Sequence, residues 1–88
     1  MIFVLCFSHE ARNQLKRLKT VGEALKKLQM NPKHPDLQIH EFYSLHGPRG
    51  EKVFEVYAEN NTPGAYRIFW CYGPEKGTIT ILAITPRP

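Results

Sequence analysis

Three strand-like segments separated by short turns fill the second half of the chain, and this pattern restricts the fold more than any other feature. Residues 52–58 have the two-residue period of a β-strand, and residues 65–72 and 78–85 are rich in aromatic and β-branched side chains. Turns rich in glycine and proline separate them. Such short turns join antiparallel neighbours, because a parallel connection needs about a dozen residues or more. The sequence therefore predicts an antiparallel meander of three strands.

The first half predicts one strand followed by two amphipathic helices. Residues 2–7 form an unbroken apolar run, which favours a central strand covered on both faces. Ser8 is suited to cap a first helix, and Thr20 begins a capping-box pattern that predicts a second helix ending before Pro32. A single helix kinked near Gly22 is the alternative.

Together these elements predict an α+β domain with the order β-α-α-β-β-β. About four strands would form one antiparallel sheet, with both helices packed on one of its faces. Residues 39–45 have a weaker extended pattern. The 88 residues have room for a single domain, spanning 1–88. A chain this short buries only roughly 60–65% of its unfolded surface, so we expect a partner chain or oligomerisation to add stability.

Charge and cysteine usage indicate the compartment and the kind of partner. Twelve Lys and Arg against eight Asp and Glu give a net charge of +4, which suits nucleic acid or an acidic protein segment but is equally explained by solubility. Cys6 and Cys71 both lie in apolar runs, and two buried thiols in a reducing cytosol are favoured over a disulfide. The apolar N-terminal run lacks the features of a signal peptide and is too short to cross a membrane. We therefore expect a soluble cytoplasmic protein with no membrane partner.

The histidines do not indicate a metal site. His34, His40 and His46 are six residues apart, and an extended strand would separate neighbouring members by about 20 Å. The sequence also lacks a glycine-rich phosphate loop, a Ser/His/Asp pattern and a catalytic-cysteine context. We expect no metal and no other cofactor.

Arg67 is the strongest candidate functional residue. It is a charged residue in the middle of an apolar, aromatic strand, where a charge is costly unless it is paired or bound to a ligand. One interpretation is a structural salt bridge with Glu55 on the adjacent strand. The other is a guanidinium that binds a phosphate through two parallel hydrogen bonds.

Further candidate residues belong to separate stretches that a meander is expected to bring towards Arg67. Arg49 and Lys52 belong to the turn before the first meander strand and to its entry, and Arg87 follows the last strand. Tyr57 is an aromatic residue that would stack on a base if it is exposed. His46, next to a glycine, is a candidate base.

A series of short motifs connects these residues. Leu45-His46-Gly47 precedes the strand 52–57, and a Tyr66-Arg67 pair is followed by three apolar residues and then by a last strand with a basic end. With the apolar first strand and two basic helices, this series resembles the RelE/ParE superfamily of toxins from bacterial type II toxin–antitoxin systems. The resemblance covers essentially the whole chain.

The resemblance implies a toxin that is neutralised by an antitoxin protein wrapped around it. RelE-like members cut mRNA in the ribosomal A site without a metal, whereas ParE-like members inhibit DNA gyrase. It further implies that Arg67 stabilises the cleaved phosphate and that Arg87 falls near the C-terminal His/Arg position of the active nucleases. Ribonucleolytic relatives place basic residues where this chain has Glu55 and Tyr57. The chain also stops at Pro88, before the tyrosine-bearing tail of many relatives. The resemblance therefore does not identify which residue of this chain would be the general acid.

The leading interpretation is a ribosome-dependent mRNA endoribonuclease that inhibits translation. Metal-free cleavage must activate a ribose 2′-hydroxyl, stabilise charge on the phosphorane and protonate the leaving oxygen. Arg67 and Arg87 are expected to stabilise this charge. Lys52 or Arg49 would hold the RNA backbone. The candidates for moving the protons are Glu51, His46 and Tyr57. A gyrase inhibitor without catalysis, and a non-toxic member that only binds a partner, are the alternatives.

Overall fold

Two helices and five strands make up the part of the chain that the computed structural model describes, residues 2–15, 21–58 and 66–86. The elements are β1 (Val4–Phe7), α1 (His9–Leu15), α2 (Val21–Met30), a short 3-10 helix (Pro35–Leu37), β2 (His40–His46), β3 (Lys52–Tyr57), β4 (Tyr66–Tyr72) and β5 (Thr78–Pro86).

All five strands belong to one sheet with the order β1-β5-β4-β3-β2. Strands β2 to β5 form an antiparallel meander, and β1 is parallel to β5 at the far edge. The predicted α+β class and the predicted meander are confirmed. The weakly patterned residues 40–46 form a full strand, so the sheet has five strands and is mixed in direction.

The expectation that residues 2–7 form a central strand is wrong. β1 lies at an edge of the sheet, where Val4 is 60% exposed. Leu5 and Phe7 pack against the core. The alternate side chains, Val4 and Cys6, face away from the helices and are exposed. Cys6 is consequently exposed rather than buried. Cys71 is buried as expected, and both thiols are free.

The hydrophobic core lies between the helices and one face of the sheet, called here the helix face. Apolar side chains of α1 and α2 pack on β3, β4 and β5. The fully or nearly buried residues of this cluster include Ala11, Val21, Leu25, Leu28, Val56, Ile68, Trp70, Ile79, Ile81 and Ile84. The opposite side of the sheet is called the open face.

The predicted start of the first helix and the predicted end of the second are confirmed. Ser8 caps α1, because its Oγ accepts the backbone N–H of Ala11 at 3.1 Å. α2 ends at Met30, two residues before Pro32. The predicted capping residue Thr20 and the predicted turn at 60–64 lie outside the described residues. Neither described helix is long and apolar enough to cross a membrane.

Candidate functional site

Arg67 lies on the open face, at the middle of a row of three side chains that crosses the sheet. Successive residues of a strand point to opposite faces, and Ile68 belongs to the core on the helix face. The strand register places Arg67 opposite Tyr57 of β3 and opposite Thr85 of β5. Because directly opposed residues of antiparallel strands share a face, the three side chains are neighbours.

The Arg67 side chain is held by one ion pair and one aromatic contact. Its Nη1 donates a hydrogen bond to Oε2 of Glu55 at 3.3 Å, and its Cζ lies 5.1 Å from the centre of the Phe69 ring. The predicted salt bridge is therefore present. It is a single, long contact rather than the short two-point geometry of the strongest arginine–carboxylate pairs.

Two polar atoms in the row are buried and have no hydrogen-bond partner among the described residues. They are Nε of Arg67 and Oγ1 of Thr85. An unsatisfied buried donor costs about 1–3 kcal/mol, so it is uncommon in a folded protein. Both atoms can donate a hydrogen bond, and they belong to residues directly opposite each other. Both atoms have almost no exposed surface, so a ligand rich in acceptor oxygens, such as a phosphate, would meet the exposed part of the Arg67 guanidinium, whose side chain is 24% exposed.

His40 is a further candidate at this site that the sequence did not indicate. It is exposed on β2 and lies opposite Glu55 in the register, so it shares the open face with the ion pair. Its position depends on a bulge in β2 between Phe42 and His46, and no pattern in the sequence reveals that bulge. In the described ranges, no group of three His, Cys, Asp or Glu residues could hold a metal ion.

The expected convergence of Lys52 on Arg67 does not occur. β3 enters at Lys52 and reaches the level of Arg67 only at Tyr57, five residues or about 17 Å further along. Lys52 also points to the helix face, because Phe54, two residues on, stacks against core residues on that side. His46 pairs with Lys52 at this distant end. The meander turns place these side chains at one end of the sheet and Arg67 near the other.

Arg49 lies on the open face but at the same distant end. With Glu51 and Cys71 it lines a small cavity of about 160 Å³. Cys71 and Arg67 are four residues apart on β4, which separates the cavity from the Arg67 row by about 13 Å. Burial, and then the nearby Glu51 charge, raise the pKa of the Cys71 thiol. Arg87 lies outside the described residues.

Glu51 stabilises the turn between β2 and β3. Its carboxylate accepts the backbone N–H of Arg49 at 2.7 Å. Hydrogen bonds from its own backbone N–H and from that of Arg49, together with the Arg49 charge, hold the pKa of Glu51 below its ordinary value of 4.5. A side chain at Gly47 would meet this carboxylate, since a Cβ there would lie 2.6 Å from Oε1. The glycine of the Leu-His-Gly motif thus makes room for Glu51.

The fold is similar to that of a chain in the crystal structure of the archaeal RelE–RelB complex from Pyrococcus horikoshii OT3. The TM-score is 0.69 over 99% of this chain and 97% of that chain, at 16% sequence identity. No protein-family model and no curated protein matches the sequence. The structural similarity confirms the RelE-like fold that the sequence resemblance implied.

Proposed function

We propose that this protein is the toxin of a toxin–antitoxin pair and that it cleaves mRNA on the ribosome at the open-face row around Arg67. The observation that supports this most strongly is the Arg67 side chain, a 24% exposed guanidinium on the open face whose ion pair with Glu55 uses Nη1. In a RelE-like fold, this guanidinium is suited to bind the non-bridging oxygens of a phosphodiester.

Cleavage at this site needs no metal ion. A base removes the proton of a ribose 2′-hydroxyl, and the resulting oxygen attacks the adjacent phosphorus. The bond to the 5′-oxygen breaks, and an acid protonates that leaving oxygen. The products are a 2′,3′-cyclic phosphate and a 5′-hydroxyl. Arg67 donates hydrogen bonds to the phosphorane, where negative charge accumulates in the transition state.

Glu55 is the best-placed base. Its Oε2 lies 3.3 Å from Nη1 of Arg67, so a phosphate bound by Arg67 would bring the 2′-hydroxyl within reach of this carboxylate. Glu51 and His46, considered from the sequence, lie at the other end of β3. His40 and Tyr57 flank the ion pair on the same face and are the candidates for the acid.

Arg49 and Arg87 are proposed to contact the RNA outside the cleavage point. Arg49 lies on the open face about 13 Å from the row, where the RNA backbone would continue. Arg87 directly follows Pro86 in the sequence. Pro86 lies opposite Tyr66, the residue before Arg67 on β4. Lys52 is less suited to bind this RNA, because it belongs to the helix face.

The proposed partners are a cognate antitoxin, and the ribosome with its mRNA, all in the cytoplasm. The similar archaeal chain comes from a complex of RelE with RelB. By analogy we expect the antitoxin to bind this chain and prevent access to the ribosome.

A second candidate function is the binding of a protein target, such as DNA gyrase, without catalysis. The Arg67–Glu55 ion pair favours it, because Glu55 makes the open face less positive where RNA would bind. This candidate predicts arrested growth with intact mRNA.

Inducible expression in a bacterium, followed by primer extension on cellular mRNA, tests the proposal. We expect the wild type to arrest growth and to leave discrete mRNA breaks within coding regions, and we expect Arg67→Ala to do neither. Arg12→Ala, a change at an exposed arginine of α1, serves as the control and should behave as the wild type. Growth arrest without breaks, together with loss of DNA supercoiling, would instead support the gyrase candidate.

A further inference from the structure

The open face carries a small apolar cluster of its own, although both described helices pack on the opposite face. Val53 and Phe69 point to the open face, where they are 0% and 4% exposed. Phe42 of β2 lies opposite Val53 in the register and therefore shares this face. None of the three belongs to the core cluster under the helices. The Arg67 row is thus bordered by packed apolar side chains.

Phe42 and Phe69 meet across the strand that separates them. The strand order places β3 between β2 and β4, so the two rings come together over β3. Their centres are 4.9 Å apart, and their planes make an angle of 61°. A tilted, edge-to-face contact of this kind is favourable, because the positive edge of one ring meets the negative face of the other. Phe42 therefore restricts the orientation of the Phe69 ring.

Phe69 in turn supports the Arg67 guanidinium. The two residues are two positions apart on β4, and Cζ of Arg67 lies over the Phe69 ring at 5.1 Å from its centre. A cation is attracted to the negative face of an aromatic ring, and the attraction is stronger where water is excluded. The Arg67 side chain is 24% exposed and Phe69 is 4% exposed, so much of this contact is shielded from water.

The ion pair with Glu55 does not by itself fix the plane of the guanidinium. One hydrogen bond of 3.3 Å from Nη1 to Oε2 leaves the planar group free to turn about that contact, unlike a two-point arginine–carboxylate pair. Glu55 lies directly opposite Phe69 in the register, so a carboxylate and a ring hold the guanidinium from neighbouring strands. Together the two contacts restrict both its position and its plane.

We propose that Phe69 is a positioning residue for Arg67 and that Phe42 holds the Phe69 ring in its turn. The ring keeps the guanidinium in one orientation before a phosphate binds, so the group does not have to reorganise as charge develops on the phosphorane. The catalytic part of this inference rests on the proposed function, because it requires Arg67 to act on a phosphodiester. The contact between ring and guanidinium is testable without RNA.

The Nε–Hε signal of Arg67 in a nitrogen-edited NMR spectrum of the whole chain tests that contact. Nε is buried, so its proton is expected to exchange slowly with water while the guanidinium is held in place. Arg67→Lys lacks this group and identifies the signal. We expect Phe69→Leu to shift the signal and to speed its exchange at least about threefold, because the attraction to the ring is lost.

The rate of mRNA cleavage on programmed ribosomes tests the catalytic consequence. Phe69→Leu keeps an apolar side chain but removes the ring. We expect kcat to fall by about 10- to 100-fold and KM to change by less than about twofold, because a displaced donor weakens the transition state more than substrate binding.

Replacement of Phe69 by mono-, di- and trifluorophenylalanine separates the ring's electrostatics from its packing. Fluorine withdraws charge from the ring face and changes its shape little, so we expect kcat to fall stepwise along the series. A residue needed only for packing would tolerate these changes. The series also tests the proposal if Phe69→Leu fails to fold.

Phe54→Leu is the matched control. Phe54 stacks on Trp70 with ring centres 4.9 Å apart, on the opposite face of β3 from the Arg67 row. The change removes a ring contact of equal length away from Arg67, so the Arg67 signal and kcat should stay within about twofold of the wild type. Phe42→Leu should alter both in the same direction as Phe69→Leu but less, because Phe42 acts through the Phe69 ring.

Three results would overturn the proposal. They are an Arg67 signal that is unchanged in Phe69→Leu, a wild-type kcat in a Phe69→Leu protein whose signal has changed, and equal losses of kcat in Phe69→Leu and Phe54→Leu. If the wild type does not cleave mRNA, the proposed function fails, and the NMR comparison alone then decides whether Phe69 holds Arg67. The two failures are therefore distinguishable.

Discussion

The Arg67 guanidinium has five N–H donors, and its ion pair with Glu55 uses one of its nitrogens, Nη1. Glu55 is only 8% exposed, so the pair is largely shielded from water and salt. Removing either partner would leave a partly buried charge without its counterion, which is costly. The same contact thus positions Arg67 and leaves its Nε without a hydrogen-bond partner among the described residues. Structural and catalytic roles for Arg67 are compatible.

Glu51 gives a pH-dependent prediction at the residue scale. Its pKa is lowered in the folded protein, so the ionised form stabilises the fold at pH values above its unfolded pKa near 4.5, and this contribution is lost as the pH falls through the folded pKa. We expect Glu51→Gln to lower the melting temperature at pH 7 and to have a smaller effect at pH 3. Thermal unfolding of both proteins across this range measures the difference.

Glu75→Gln, at an exposed carboxylate of the next turn, is the matched control for Glu51→Gln. It should change the melting temperature little at either pH. If the effect of Glu51→Gln were the same at pH 3 and pH 7, the carboxylate charge would not be what holds the turn.

Arg67 and its partner Glu55 were predictable from the sequence, whereas the neighbouring Thr85 and His40 were not. A charged residue within an aromatic strand is visible in the sequence, as is a possible partner of opposite charge such as Glu55. Thr85 and His40 join the site only through the registers of β5 and β2. Both strands contain register shifts, which change the facing residues without a distinct sequence signal.

At the scale of elements, α1 is tied to β5 where that strand is irregular. The register between β4 and β5 shifts at Phe69 and Trp70, which frees backbone groups of β5. Ser8 Oγ donates to the carbonyl of Leu82 at 2.7 Å, and the backbone N–H of Ile84 donates to Oε1 of Gln14 at 2.6 Å. Side chains from both ends of α1 therefore satisfy β5 backbone groups that would otherwise lack partners.

Ser8→Ala tests this junction. The change removes the helix cap and the hydrogen bond to Leu82 together, so we expect a loss of about 1–2 kcal/mol in the free energy of unfolding. Urea denaturation measures it. Ser44→Ala, at an exposed serine of β2, should change the stability by less than about 0.5 kcal/mol. Equal stability of the two variants would show that α1 is held by its apolar contacts alone.

The sequence predicted the meander because each of its strands is bounded by glycine or proline. It failed for β1, since an apolar run indicates a strand but not its place in the sheet. β1 is apolar on both sides, yet only Leu5 and Phe7 pack against the helices. β2 was hard to recognise because it is an edge strand whose residues are mostly exposed, so burial imposes little alternation.

At the scale of the whole molecule, the sheet separates two surfaces with different chemistry. The open face presents a charged row around Arg67, and the helix face carries a cavity of about 450 Å³ lined in part by Phe54, Trp70 and Tyr72. The core of an 88-residue chain is small, so a partner chain that covers exposed apolar surface is expected to stabilise the protein.

Co-expression with the neighbouring genes of the native operon checks this. We expect a stoichiometric acidic protein to co-purify and to stabilise the chain by roughly 3–4 kcal/mol at a few hundred times its dissociation constant. Denaturation with and without the purified partner measures the gain. A chain that purifies alone, is fully stable and leaves growth unaffected would count against the toxin–antitoxin proposal.

The most direct test of the central claim is the rate at which the purified protein cleaves mRNA on programmed ribosomes, compared between the wild type, Arg67→Ala and Arg67→Lys. Loss of one transition-state donor should slow Arg67→Ala by roughly 100- to 1000-fold. Arg67→Lys should recover only part of the rate, because an ammonium group cannot replace the planar guanidinium. An Arg67→Ala protein that unfolds at a lower temperature but cleaves at the wild-type rate would contradict the claim and leave Arg67 as the structural partner of Glu55.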